Sequence, residues 1–444
     1  MSFTSPVFLF AFLPLTVIVY QLARSTKLKN AVWIAAGLLF YAFGDLRHLP
    51  LLLGSCLLHY GAGRYLMAQK KARRAVLLSC VALDLAVLAF YKVRGALPLG
   101  ISFYTFQAIS YVADTYKTPA DGTKNFRETL QYLTFFPQLT AGPFLKFSAL
   151  RPYLDRRETT WEKNAQGVRR FVCGLCKKVL LSTAAAKLAD AMFSLASIDA
   201  LGAWTGALGY CLQLYFDFSG YSDMALGLGL LFGVQLPENF RHPYCAGSVT
   251  EFWRRWHMTL SGWFRDYVYI PLGGSRKGRA RTVFNKLLVF LATGLWHGTG
   301  WTFVLWGLWH GAFCGAETLL DRNKTLKTHW YGHVYTLLVV IFGFVLFRAE
   351  SLPQALMLLR TMLSGFTPVD ACRLALRNLL TVRTAVWCFV GVLACLPVWE
   401  HAKARFDGSR WFSPALDALT IVGLLLCLMQ LASHSFQPFI YASF

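Results

Sequence analysis

The chain has 444 residues, of which 56% are hydrophobic and only 15% are charged. Soluble domains carry about 25% charged residues, so this composition excludes a water-soluble globule and favours the lipid bilayer as solvent. The formal net charge of +22 does not indicate nucleic-acid binding, because the basic residues stand in short clusters between apolar runs, as in cytoplasmic loops of multi-pass membrane proteins.

Twelve apolar runs follow one another along the chain, and a membrane span needs about 20 such residues. Several runs are short or interrupted by Gly and Pro, so we expect an all-α polytopic protein with about 10–12 transmembrane or re-entrant helices. The stretch 135–147 holds two prolines, so it must be buried in protein or line a cavity. The candidate runs are 6–23, 31–46, 49–68, 75–92, 98–113, 169–196, 203–233, 284–301, 302–320, 333–349, 382–399 and 414–433.

Loop charges predict the orientation of the chain. Basic residues at 24–29 follow the first run and those at 70–74 follow the third, whereas the connection at 45–48 is nearly neutral. By the positive-inside rule, the basic loops face the cytoplasm and the N-terminus lies outside it. The N-terminal run lacks a basic leader and a small-residue cleavage site, which indicates a retained first span.

Eleven cysteines are scattered through the apolar runs without paired spacings, so we interpret them as reduced packing residues. Cys173 and Cys176 form the one Cys-x-x-Cys pattern. Because no second pair lies nearby, packing on a helix face is favoured over a metal or redox role for these two residues.

Residues 238–286 mix basic and aromatic side chains without becoming a span. This combination indicates either the wall of a half-buried cavity or an amphipathic helix in the lipid headgroups, and both interpretations stay open here. The central part, EFWRRWHMTLSGWFRDYVYI (251–270), contains Trp253, Trp256, His257, Arg265 and Asp266.

The pentapeptide Gly-Leu-Trp-His-Gly occurs twice, at 294–298 and 307–311, and places His297 and His310 in an apolar stretch. An ionisable residue at membrane depth indicates function, although a hydrogen-bonded packing histidine is the simpler alternative for each. His297 is favoured as the functional residue, because nearby glycines allow close approach and Trp296 supplies a flat wall. The sequence after His310 is typical of an ordinary helix, which favours packing or support behind the site.

Three familiar kinds of site find no support in the sequence. His257, His297 and His310 are separated by 40 and 13 residues and have no acidic residue or cysteine at ligand spacing, so no metal site is predicted. A serine-hydrolase Gly-x-Ser-x-Gly motif is missing, and GGSRKGRA (273–280) departs from a phosphate loop at Arg279 and Ala280. General-base transfer of an acyl group is the simplest remaining chemistry.

A compact basic patch precedes the run that leads to His297. It fits anionic lipid headgroups or a phosphorylated donor such as a coenzyme A thioester, which would place a cytosolic donor beside an intramembrane histidine. Its members are Arg276, Lys277, Arg279, Arg281 and Lys286.

Three blocks of the chain resemble the membrane-bound O-acyltransferase (MBOAT) family, and most closely its bacterial alginate O-acetylation branch. They are YFDFSGYSDMALGLGLLFGVQLPENFRHPY (215–244), TEFWRRWHMTLSGWFRDYVYIPLGG (250–274) and GLWHGTGWTFVLWGLWHG (294–311), and residues 101–116 and 437–444 are also similar. The resemblance implies one membrane domain over residues 1–444 in which helices form a ring around a central tunnel. Its expected parts are N-terminal helices in 1–150, a catalytic core with a cytoplasmic re-entrant segment in 151–320 and C-terminal helices in 321–444.

The resemblance also implies a reaction. Members of this branch take acetyl from cytosolic acetyl-coenzyme A and pass it across the bacterial inner membrane to an exported or cell-wall polysaccharide. They commonly work with an extracytoplasmic partner protein, and no bound cofactor is implied. Alginate, cellulose, another exopolysaccharide and peptidoglycan are all compatible acceptors.

Site residues follow by position. His297 corresponds to the catalytic residue, expected to act as general base, with a transient acyl-histidine as the alternative. His257 is expected to orient the donor carbonyl or stabilise the oxyanion. Candidate donor- or substrate-binding residues are Trp296, Trp253, Trp256, Arg265, Asp266, Arg276, Lys277 and Arg279. The acids Asp217, Asp223, Glu251 and Asp266 are expected to pair with Arg254, Arg255 and Arg265.

Two other functions stay open. The D-alanyl-transfer branch of the same family uses an acyl carrier protein as donor, and a transporter without chemistry is also compatible with the apolar runs. Transporters often carry paired broken spans in two halves, whereas the unusual residues here concentrate in 215–311. A structural scaffold would leave the glycine-flanked histidines unexplained.

Overall fold

A computed structural model describes residues 1–68, 71–321 and 323–433. Every regular element in that part of the chain is a helix, and each of the twelve apolar runs overlaps a helix, which confirms the all-α prediction. Lys70, His434 and the similar block 437–444 lie outside the described residues.

The α-helices, numbered in chain order, are α1 (Leu13–Leu22), α2 (Thr26–Asp45), α3 (Leu49–Met67), α4 (Arg73–Arg94), α5 (Ile101–Lys117), α6 (Phe126–Leu133), α7 (Phe136–Leu139), α8 (Phe147–Asp155), α9 (Trp161–Cys176), α10 (Thr183–Ser194) and α11 (Ala200–Leu231). They continue with α12 (Val249–Arg255), α13 (Met258–Phe264), α14 (Gly278–His297), α15 (Trp301–Leu319), α16 (Asn323–Lys327), α17 (Trp330–Arg348), α18 (Leu352–Ser364), α19 (Asp370–Leu379), α20 (Val382–Ala394), α21 (Val398–Phe406) and α22 (Phe412–Ala432). Short π-helical segments lie at Phe8–Phe12, Lys177–Ser182 and Arg265–Tyr269, and 3₁₀ turns at Leu46–His48, Pro119–Asp121 and Pro243–Cys245.

Three helices in the described ranges, α4, α17 and α22, are long and apolar enough to cross a membrane on their own. The pair α19–α20 also passes this test together, although the two helices bend by 84° at their junction. Most residues in the apolar window of α22 face outward, since only 6% of that window is buried. The count of 10–12 membrane segments, and the outward N-terminus, stay predictions.

The described residues cluster into two compact units. The first contains residues 1–174 and 221–238, and the second contains residues 175–220 and 239–433. The expected parts 1–150, 151–320 and 321–444 of a single domain stay a prediction.

The proline-containing stretch 135–147 lies in the first unit and is buried in protein, as predicted. Its short helix α7 has Phe136 and Leu139 at no more than 1% exposure. The amide of Gln138 satisfies one backbone carbonyl by donating to Tyr132 O at 3.1 Å. A non-spanning turn is tolerated here because protein groups take the place of the missing water.

Buried acids pair differently from the prediction in two of four cases. Asp217 pairs with Lys178, both side chains being 2% exposed, and Asp223 pairs with Arg170. The expected pairs Arg255–Glu251 and Arg265–Asp266 are present, each at 2.7 Å. Lys178 follows α9, and the apolar part of its side chain can lie in the protein interior. A sequence pattern does not distinguish such an interior segment from a membrane span.

All eleven cysteines are free thiols, and seven of them are buried. The Cys-x-x-Cys pair lies on α9, where the sulfur of Cys176 is 3.6 Å from that of Cys427 on α22. Cys173 is exposed. The seven buried cysteines agree with the interpretation as packing residues, whereas the exposed position of Cys173 does not support it for that residue.

Candidate active site

The doubled pentapeptide forms a tight helical hairpin in the second unit. Helix α14 ends at His297, residues 298–300 make the turn, and α15 begins at Trp301. The first glycine of each copy faces the other helix: a Cβ atom on Gly294 would lie 3.6 Å from Cα of Gly307 and would clash with the carbonyl of Phe303. The glycines therefore bring the two helix backbones into contact, which larger side chains would prevent.

His297 lies at the C-terminal end of α14 and is 5% exposed. Its ring lies edge-on to Trp306 at 5.2 Å between centroids and to Phe347 of α17 at 4.9 Å. The predicted wall residue Trp296 is also in contact, at 4.7 Å. Aromatic side chains from two further helices thus fix the orientation of this imidazole.

The position of His297 in its helix favours a role as proton acceptor. The C-terminus of an α-helix carries a partial negative charge, which stabilises a cation by about 0.3–1 kcal/mol. The imidazolium that forms when His297 accepts a proton would benefit from this field. The aromatic surroundings exclude water and thereby strengthen the electrostatic effect of the helix terminus.

His310, in the second copy, is more deeply buried than His297. It is fully inaccessible, and its ring lies between Trp253 at 5.0 Å and Trp306 at 5.3 Å. Neither ring nitrogen has a hydrogen-bond partner among the described residues. Trp306 therefore contacts both histidines of the doubled motif, so His310 supports the residue that orients His297.

Trp309 distinguishes the second copy from the first. Its indole nitrogen donates to Val339 O of α17 at 2.9 Å, and its ring packs against Phe313 at 4.7 Å. These contacts belong to a small apolar cluster around Val249, Cys314 and Val339. The second copy thus serves packing between α15 and α17.

His257 occupies a strained turn between α12 and α13. Its backbone is left-handed, with φ of 45°, and its side chain is 3% exposed. The ring lies edge-on to Phe218 of α11 at 4.6 Å. Burial lowers the pKa of His257 to about 3, so this residue is neutral at physiological pH.

Asn239 fixes the tautomer of His257. The amide oxygen Oδ1 of Asn239 accepts from the backbone N–H of Thr259 at 3.2 Å and from its hydroxyl at 2.9 Å. The same oxygen lies 3.1 Å from Nδ1 of His257, so Nδ1 must carry the proton. The lone pair of His257 is consequently on Nε2, which can accept a hydrogen bond but not donate one.

Glu317 holds helix α12, which carries the predicted Trp253. Its carboxylate, 3% exposed on α15, accepts from the backbone N–H groups of Val249 at 2.7 Å and Thr250 at 2.9 Å. Ser248 accepts from the next N–H, that of Glu251, at 3.1 Å. The free N–H groups at the start of α12 are thereby satisfied.

Some of the predicted donor-binding residues are buried in the protein, and others are exposed on its surface. Trp253 and Trp256 pack in the aromatic cluster around α12, where Trp256 is 2% exposed. Arg265 is exposed and paired with its neighbour Asp266.

Arg276, Lys277 and Arg279 are exposed in the turn before α14 and on its first residues, as the prediction of a basic patch requires. Asn285 holds this turn by donating to Gly274 O at 2.9 Å. Lys286 does not belong to the patch, because its ammonium group donates to Thr318 Oγ1 at 2.6 Å and Cys314 O at 3.2 Å on α15. Lys286 lies five residues after Arg281, on the face of α14 that packs against α15, which the sequence cluster did not resolve.

The structure groups His297, His310, Trp253, Trp296 and Trp306 through ring contacts, and it places His257 beside Asn239. The approach of His257 to His297 stays a prediction. Sequence reasoning missed Asn239 and Glu317. A single acid in the apolar run of α15 was a signal for Glu317, whereas Asn239 lies in a loop with no pattern. In the described ranges no group of three or more His, Cys, Asp or Glu residues could hold a metal ion.

The chain is similar to a known protein family and to several of its members. The sequence profile of the membrane-bound O-acyltransferase family matches residues 117–358. A probable alginate O-acetylase, AlgI, of Pseudomonas putida is 36% identical over the whole of both chains. The peptidoglycan O-acetyltransferase of Helicobacter pylori is 35% identical over 84% of this chain and 81% of its own. A teichoic acid D-alanyltransferase of Bacillus subtilis is 27% identical over 57% of this chain and 69% of its own.

Proposed function

Because the chain belongs to the membrane-bound O-acyltransferase family, we propose that it moves acetyl from cytosolic acetyl-coenzyme A across the bacterial inner membrane to O-acetylate an exported or cell-wall polysaccharide. It is an integral membrane acyltransferase. Relatives named as polysaccharide O-acetylating enzymes cover more of the chain, at higher identity, than the D-alanyltransferase does. We also propose that an extracytoplasmic partner protein completes transfer of the acetyl group to the polysaccharide.

The observation that carries the proposal is His297 at the end of α14, buried among aromatic rings. In the proposed reaction the imidazole takes the proton from an acceptor hydroxyl. The oxygen attacks the acetyl carbonyl carbon, the carbon–sulfur bond breaks, and the leaving thiolate receives the proton from the imidazolium. A positioned base of this kind contributes about 10²–10⁴ in rate.

The tautomer of His257 refines its proposed role. A neutral ring whose proton is on Nδ1, facing Asn239, presents only a lone pair at Nε2. It would accept a hydrogen bond from a substrate N–H or O–H group and thereby orient the donor or acceptor. Donation to an oxyanion would require a protonated ring, which the lowered pKa of about 3 opposes.

The exposed basic turn supports coenzyme A as the donor. Arg276, Lys277 and Arg279 lie just before the helix that carries His297, and the weak contact of Arg279 with Asp321, at 3.6 Å, leaves its guanidinium available. Such a cluster suits the phosphates of a nucleotide thioester. It would also attract an acidic carrier protein, so the donor requires a direct test.

That test supplies the purified full chain, together with a polysaccharide that offers acceptor hydroxyls, with acetyl-coenzyme A or with a D-alanyl-loaded carrier protein and measures which thioester is consumed. We expect consumption of acetyl-coenzyme A, and its loss in His297→Gln at normal protein level. His329→Gln, which changes an exposed histidine bonded to its own turn, is the matched control and should retain activity. Consumption of the carrier thioester alone would identify the loaded carrier protein, and not acetyl-coenzyme A, as the donor. Consumption of neither thioester would favour a transporter without chemistry.

A further inference from the structure

A polar pocket opens on the second unit away from the doubled pentapeptide. It lies between the π-helical segment Lys177–Ser182, the start of α10, the start of α20 and the end of α22. It is a shallow pocket open to solvent, and its empty space, counted out into that solvent, is about 270 Å³. The start of α20 and the end of α22 both line the pocket. Helix α22 is long and apolar enough to cross a membrane, and the end of such a helix is where we expect hydrocarbon to meet headgroups.

The pocket is basic. Lys187 and Arg383 line it, and neither makes an ion pair within the described residues. No acidic residue is among the described residues that line it. Two cations placed together without a carboxylate repel each other, so an anion between them would relieve the repulsion.

Two threonines line the pocket beside the two cations, but their polar groups are already bonded within the protein. The Thr183 hydroxyl donates to Lys178 O at 3.4 Å, and the N–H of Thr384 donates to Thr381 Oγ1 at 3.3 Å. What the start of α20 adds is its helix dipole, which favours negative charge. Trp387 adds an amphipathic ring of the kind that lies at membrane interfaces.

Apolar surface continues from the mouth of the pocket along both helices. On α20, Val386 is 50% and Phe389 64% exposed, and on α22, Leu425 is 55% and Met429 70% exposed. A soluble anion would use the pocket but not these faces. A molecule with both a phosphate group and long hydrocarbon chains would use both.

We propose that this pocket binds the headgroup of an anionic phospholipid. Its phosphate lies between Lys187 and Arg383, and its acyl chains lie along α20 and α22. The site is independent of acyl transfer, because it shares no residue with the candidate active site. It would retain a bound lipid as part of the folded protein.

The test measures thermal unfolding of the purified full chain in detergent with added phosphatidylglycerol, phosphatidylcholine or glycerol 3-phosphate. We expect phosphatidylglycerol alone to raise the unfolding temperature. In Lys187→Gln/Arg383→Gln, the phosphatidylglycerol concentration for half of the effect should rise about thirtyfold, and about fivefold in each single variant. The double variant should fold normally, since both side chains lack ion pairs in the described residues.

Lys403→Gln/Arg405→Gln is the matched control, because it removes the same charge from exposed positions on α21. This variant should respond to phosphatidylglycerol as the unchanged protein does. An equal effect of phosphatidylcholine, an equal effect of glycerol 3-phosphate, or an unchanged response in the Lys187/Arg383 variants would each overturn the proposal. Thioester consumption plays no part in the readout, so failure of the proposed acetyl transfer leaves this test intact.

Discussion

Replacing Asn239 with alanine removes one amide oxygen that serves three donors. These are Nδ1 of His257 at 3.1 Å, the backbone N–H of Thr259 at 3.2 Å and the Thr259 hydroxyl at 2.9 Å. The hydroxyl can rotate to another acceptor, but the other two donors cannot. Asn239→Ala therefore removes the acceptor that these two donors share, in a site where His257 is 3% exposed.

The expected loss of stability follows from the free energy lost when a buried donor loses its acceptor. Each buried donor without an acceptor costs about 1–3 kcal/mol, so we expect Asn239→Ala to lower the free energy of unfolding by about 3 kcal/mol. The proton of His257 is then no longer held on Nδ1. Loss of one oriented hydrogen bond to the substrate should lower turnover by about tenfold to a hundredfold.

The assay measures acetyl-thioester consumption per folded protein, with thermal unfolding measured in parallel. Thr259→Val is the matched control, because it removes the hydroxyl donor and leaves the bond between Asn239 and His257. It should cost about 1 kcal/mol and keep turnover within a few fold. Full turnover per folded molecule in Asn239→Ala would refute the tautomer argument, and an equal loss in Thr259→Val would assign the effect to packing.

Three further changes test the supports of the site and of the fold. Gly343→Ala places a Cβ atom against Nε2 of His310, so we expect destabilisation by about 1–3 kcal/mol, with a smaller effect in the background of His310→Ala; equal effects in thermal unfolding would contradict the contact. Glu317→Gln replaces one of two accepting oxygens by a donor and should cost about 2 kcal/mol, while an unchanged unfolding temperature would show that the cap is dispensable. Lys178→Met removes the cation that pairs with the buried carboxylate of Asp217 and should cost about 3 kcal/mol or more, whereas Lys178→Met/Asp217→Leu should recover most of the loss, and additive losses would argue against the ion pair.

Apolar runs were sufficient to predict the long helices, because lipid and protein interiors both select continuous apolar sequence. The runs did not predict the shorter helices α6–α8, α12, α13, α16, α18 and α19. The glycines beside His297 predicted a close approach, and Gly294 does bring α14 against α15. The position of His297 at the end of α14 was not predicted, because the apolar run continues to residue 301. The pairing of acids depended instead on which helices meet in space. Asp217 therefore found Lys178, which is 39 residues away, rather than the arginines near α12.

The residues that hold the site were harder to predict for a related reason. Asn239 and His257 are 18 residues apart, and Glu317 lies 68 residues after the helix start that it caps. No local pattern records such distances. Only the path of the chain brings these groups together, and the sequence of one protein does not contain that path explicitly.

The carboxylate of Glu317 also sets a rule for engineering. It is carried by α15, which packs face to face with α14 through glycines, and it closes the start of α12. Segments exchanged between related enzymes should therefore travel as one block from Ser248 to Glu317. A chimera whose junction falls inside that block would join the helix start of one parent to the capping carboxylate of another. Its activity would then report whether the two segments pack together, and not which acceptor the enzyme selects.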